Sequence, residues 1–101
     1  MRVELTRSGG LAGLRQTASA DEADLSPGER DELRRLVQGA RFFSLPARLL
    51  AARPAPDRFR YRIAVRDGRR RREVIAEEEA LTEELRELVR FLERRSGPTR
   101  R

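Results

Sequence analysis

The chain of 101 residues contains no cysteine and no histidine. Without cysteine there is no disulfide framework and no thiolate chemistry. With both residues missing, a zinc site within the chain lacks its usual ligands, and a Ser-His-Asp arrangement is excluded. No cofactor is expected. Lysine and asparagine are absent too, so all 23 basic residues are arginine. Together with the abundant Ala, Gly and Pro, this fits the codon bias of a GC-rich genome. Long apolar runs are missing: nothing resembles an export-signal core or a membrane span. The sequence therefore reads as a cytoplasmic protein without a membrane partner.

Charged residues make up 40% of the chain and apolar ones 38%, with a formal charge of +6. Such a length is expected to make one domain with a modest core, so that core must come from short, well-phased elements. That domain is expected over residues 1–95, with 96–101 as a basic tail. The pI near 11.3 suggests nucleic acid at first sight. A basic but solvated surface is the preferred reading.

Residues 1–6 alternate, with Val3 and Leu5 on one side and Arg2, Glu4 and Thr6 on the other, the pattern of a half-buried strand. Three glycines fall within Arg7-Ser8-Gly9-Gly10-Leu11-Ala12-Gly13, which reads as an irregular hairpin tip. A second, weaker strand is expected from Leu14 to Ser19. Next comes a strong helix start. Ser26 is the N-cap, Pro27 fits the first helical position and Glu29 completes a capping box. Leu33, Leu36, Val37 and Ala40 then form one apolar stripe, and Gly39 marks a stop.

Residues 41–57 give no regular signal. Pro46, Pro54 and Pro56 break any long helix, and long irregular segments are often functional. At least one of Phe42 and Phe43 should plug the edge of the core. Phe59, Tyr61, Ile63 and Val65 alternate with Arg58, Arg60, Arg62 and Arg66 in the clearest strand of the chain. Asp67-Gly68 predicts a type I′ turn, which would set Tyr61 opposite Val74 and Phe59 opposite Ala76. Arg70 and Arg72 share the apolar phase and must snorkel or cover an edge. Thr82 is the second N-cap, ahead of a stripe of Leu85, Leu88, Val89 and Leu92. The two capped helices echo one another as a weak repeat. The order ββαββα predicts an α+β two-layer sandwich: an antiparallel sheet of about four strands with both helices on one face.

Few residues suggest chemistry of their own. Asp21, Glu22 and Asp24, and Glu77, Glu78 and Glu79, precede helices, where capping and dipole effects account for them. No Lys-Ser/Thr follows the glycines, so they do not make a phosphate-binding loop. Arginines at 66 and 69–72 could follow a phosphate backbone, but the only tyrosine, Tyr61, points to the core and no stacking platform is available. Nucleic-acid binding through that hairpin is the secondary reading.

The opening residues 1–15, Asp24-Leu25-Ser26-Pro27, and Phe59-Arg60-Tyr61 leading to Asp67-Gly68 resemble the emfourin family. These are small bacterial protein inhibitors of protealysin and other thermolysin-like metalloproteases. Where the family leads one to expect Phe in the glycine loop, this chain has Leu11. The resemblance implies a non-enzymatic monomer whose partner is a thermolysin-like metalloprotease that accepts a bulky apolar side chain just after the scissile bond. A rigid loop would fill that cleft, with Leu11 in the apolar pocket. Gly9 and Gly10 would permit close backbone approach. The implied contact residues are Arg7, Ser8, Gly9, Gly10, Leu11, Ala12 and Gly13, with Phe42 and Phe43. If the first helix runs antiparallel to the second strand, Ala40–Phe43 ends beside the glycine loop.

Overall fold

The computed structural model describes residues 1–10, 14–53 and 58–96. Seven main elements follow in order: β1 (Arg2–Gly9), β2 (Leu14–Asp21), α1 (Pro27–Gly39), β3 (Arg48–Leu49), β4 (Phe59–Asp67), β5 (Arg70–Glu77) and α2 (Glu83–Ser96). Short 3-10 turns cover Glu22–Asp24, Phe42–Ser44 and Glu78–Ala80. The strands form one sheet in the order β2-β1-β4-β5-β3. Residues 97–101, most of the expected tail, lie outside the described residues, while Ser96 belongs to α2.

The α+β class and the two helices agree with the sequence reading, but the sheet has five strands and is mixed. The addition is β3, whose Arg48 and Leu49 pair parallel with Ile75 and Ala76. Two residues are too short to show a period of two, so the strand has no sequence signature.

Alternation decides which face of the sheet is buried. Val3 lies opposite Ala20 on one side and Val65 on the other; Leu5 lies opposite Ile63. Ile63 in turn opposes Val74, and Tyr61 opposes Ala76. All but Tyr61 are at most 4% exposed. They form one core with the helix stripes Leu33, Leu36, Val37 and Leu85, Leu88, Val89, Leu92, joined by Phe91.

Both helix starts follow their caps. Ser26 Oγ accepts from the Glu29 N–H at 3.2 Å, and the Ser26 N–H donates to Glu29 Oε1 at 3.1 Å, completing the capping box. Thr82 Oγ1 accepts from the Leu85 N–H at 3.1 Å. α1 does end at Gly39, but the left-handed residue is Arg41, with φ 51°.

The β4–β5 turn differs from its sequence reading. Asp67 pairs with Arg70, so the central residues are Gly68 and Arg69. Only Gly68 has positive φ, +65°, the pattern of a type II′ rather than a type I′ turn. Moving the turn by one residue slides the partner strand by two. Each apolar residue therefore keeps its face while changing its partner.

Arg70 and Arg72 do cover an edge. The Arg70 guanidinium lies 4.2 Å from the centre of the Phe43 ring and 3.4 Å from Asp67. Arg72 donates to the Leu45 carbonyl.

Candidate functional site

The register gives the sheet two distinct ends. Arg2, Asp21 and Arg66 mark its foot; Gly9, Leu14 and Phe59 mark its head. The head carries the glycine hairpin tip. Its outermost residues, Leu11, Ala12 and Gly13, lie outside the described residues. Their flanks do not. Arg7, Ser8 and Gly9, read from the sequence as loop, are the last three residues of β1, paired with Gln16, Arg15 and Leu14.

Each of these residues is engaged within the chain. The Arg7 guanidinium sits 4.7 Å from the centre of the Phe59 ring and 3.1 Å from the Glu93 carboxylate of α2, and also donates to Gln16. It ties the head of the sheet to the second helix. Beneath it, burial pushes the Tyr61 phenol above its ordinary pKa, with the Arg7 guanidinium pulling the other way.

Gly9 and Gly10 adopt φ of +102° and +77°. A Cβ on Gly9 would stand 2.5 Å from the Arg58 carbonyl oxygen, and one on Gly10 2.9 Å from the Phe59 ring. The Gly10 N–H donates to that same carbonyl at 3.3 Å. The close approach these glycines serve in the structure is therefore to the start of β4, which braces the stem of the hairpin tip.

The second expected contributor changes place. Ala40–Phe43 does not end beside the glycine hairpin. Arg34, midway along α1, pairs with Glu22 after β2 at 2.5 Å and with Asp67 at the β4–β5 turn at 3.6 Å. Both carboxylates are at the foot, so α1 crosses the foot instead of running back up β2. Its C-terminal end lines a cleft of about 270 Å³ there with Met1, Asp67 and Arg70. Phe42 is 1% exposed, so its side chain has no surface to offer a partner. Phe43 is half-buried, edge-on to Phe42, with Arg70 over its ring.

A later part of the same irregular segment does reach the head. After Ser44 the chain rises beside β5 through β3. Leu49 lies opposite Ala76, and the Ala51 N–H donates to Glu77 Oε1 at 2.7 Å. Leu50, between them, is 59% exposed and is the only large exposed hydrophobic side chain among the described residues. Its signal in the sequence was faint: one of two adjacent leucines before a proline-rich stretch.

The acidic triplet also has a different task from the one its sequence position suggests. Glu77 holds residue 51, Glu78 Oε1 accepts from the Phe59 N–H at 3.2 Å, and Glu79 pairs with Arg58 at 2.6 Å. Arg58 in turn donates to the Arg53 carbonyl at 2.7 Å. Three consecutive carboxylates thus fasten the chain on both sides of residues 54–57, which lie outside the described residues. The other acidic group also departs from a pure capping role. Asp21 does cap the 3-10 turn, through the Ala23 N–H at 3.0 Å, but Glu22 serves Arg34 and the amino group of Met1.

The five-stranded sheet, with two helices packed on one face, thus carries at its head a braced hairpin stem and, across the sheet, the flanking segment 48–53. The emfourin family model matches residues 5–93, and the chain belongs to that family. At family level this implies a metalloprotease-inhibitor role. No curated protein and no solved structure matches the chain.

Proposed function

We propose that the protein inhibits thermolysin-like, protealysin-like zinc metalloproteases by occluding the active-site cleft with the hairpin tip at the head of the sheet. The observation that carries this reading is family membership over residues 5–93. The braced stem supports it. Gly9 and Gly10 are locked against Arg58 and Phe59, so the tip starts from a fixed base and loses less entropy on binding. Leu11 enters the apolar pocket, and the backbone around it pairs with the enzyme's edge strand. The protein acts by steric occlusion and is not itself an enzyme.

The test is an inhibition constant against a thermolysin-like protease. Leu11→Asp drives a carboxylate into an apolar pocket and should weaken inhibition by ~3 kcal/mol or more. Leu11→Phe should preserve it. A folded Leu11→Asp that inhibits like the parent removes this tip as the plug.

A further inference from the structure

Resting on the inhibitor reading above, we propose that Leu50 is a second apolar anchor, which enters a separate apolar subsite of the same protease cleft. A single exposed leucine is ordinary on a protein surface. The surroundings of this one are not. The residue before it is paired in the sheet, and the residue after it is tied to the Glu77 carboxylate at 2.7 Å. The Ile75 N–H also donates to the Ala47 carbonyl at 2.8 Å, just before the strand. The backbone is thus fixed on both sides of a side chain that the fold leaves 59% exposed. Fixing a chain segment costs entropy, and here the fold does so without burying the leucine. Leu49 beside it packs against the core, and the pairing that seats Leu49 also presents Leu50 at a set position.

That position suits the glycine hairpin. Arg7, Tyr61, Ala76 and Leu49 form one row across the sheet. Three strand spacings of ~4.8 Å separate β1 from β3, so Leu50 stands about 15 Å from the hairpin stem. A standard interface covers about 800 Å² per partner, a disc about 30 Å wide. A protease that closes over the hairpin tip therefore reaches Leu50 as well. A long substrate-binding cleft with more than one apolar subsite is the partner that matches two apolar anchors at the same end of a rigid sheet. Glu77 is the positioning residue, acting through the Ala51 N–H.

The experiment measures inhibition constants against a thermolysin-like protease for the full chain and for Leu50→Asp, Leu50→Met, Glu77→Ala and Glu77→Gln, with thermal melting of each. Leu50→Asp should raise the inhibition constant about tenfold or more, mainly through faster dissociation, with melting unchanged. Leu50→Met should stay within about threefold of the parent. Glu77→Ala should weaken inhibition less than Leu50→Asp, and Glu77→Gln, which keeps an acceptor for the Ala51 N–H, should restore it. If folded Leu50→Asp inhibits like the parent while Leu11→Asp does not, the second anchor is refuted and the hairpin reading stands. A parent chain that fails to inhibit overturns both.

Discussion

Replacing Gly9 with alanine should cost far more stability than the same change at Gly68. Both glycines have positive φ, +102° and +65°. That conformation alone penalises an L side chain by about 1–2 kcal/mol. Around Gly68 nothing lies within 4 Å of the new Cβ, so the cost ends there. At Gly9 the new Cβ meets the Arg58 carbonyl oxygen at 2.5 Å. That oxygen is backbone and already accepts from the Gly10 N–H, so it cannot swing aside like a side-chain tip. Forcing atoms into a packed site adds about 1–3 kcal/mol, for a total of about 2–5 kcal/mol. In a domain of this size 1 kcal/mol moves the melting temperature by roughly 4–8 °C. Differential scanning calorimetry on both variants should therefore show Gly68→Ala lower by about 4–16 °C and Gly9→Ala lower by about 8–40 °C. Equal melting temperatures would mean that the start of β4 does not brace the hairpin stem, and the account of a preorganised tip would fail with it.

Other outcomes follow from the core, the foot and the caps. Leu88→Ala, at a site with no exposure, should destabilise by ~2–5 kcal/mol in urea unfolding. Changing Arg69, Arg70 and Arg71 to Gln should leave inhibition within about threefold, because these residues lie at the foot, opposite the hairpin tip, and exposed charges mainly tune encounter rate. A collapse of inhibition in that folded variant would place the contact surface at the foot. The Ser26 backbone N–H, followed by its hydroxyl, holds the Glu29 carboxyl below its ordinary 4.5. A lowered folded value means the stabilisation is present above pH 4.5 and is lost as pH falls through the folded value. The parent should therefore lose more melting temperature than Glu29→Gln between about pH 6 and about pH 3. An equal loss would show that the capping carboxylate is not coupled to folding.

Local signals in the sequence were reliable where a few neighbouring residues decide the outcome. Ser26, Pro27 and Glu29 specified a helix start, Thr82 specified another, and the alternation from Phe59 to Val65 specified a strand. Errors came where distant residues decide. An apolar stripe fixes which side of α1 is buried but not which way the helix lies; Arg34, reaching Glu22 and Asp67, settles that. Periodicity cannot separate two hairpin registers that differ by two residues, because the faces are the same in both. The head of the sheet was half legible. The glycine run pointed to it, but the glycines are braced by Arg58 and Phe59, and the part of the irregular segment that reaches the same end is residues 48–53 and not Phe42 and Phe43. The acidic triplet concealed its role because carboxylates before a helix already have a sufficient local explanation.

The central pairing of β1 with β4 has a consequence for how the chain is made. Val3 finds Val65 across the middle of the sheet, so strands from opposite halves of the sequence form its interior seam. The apparent repeat of capped helices therefore does not divide the protein into two self-sufficient halves. Ribosomes add about 5–20 residues per second, so roughly 3–12 s pass between synthesis of the two sides of that seam. During that interval β1 and β2 can close as a hairpin, but Val3 and Leu5 have no β4 beside them, and they and the stripe of α1 have no α2 to cover them. Pairings so distant in sequence also slow folding after release. Nascent chains halted before residue 59 should thus be held open, with apolar surface exposed to chaperones, until the second hairpin arrives to complete the sheet.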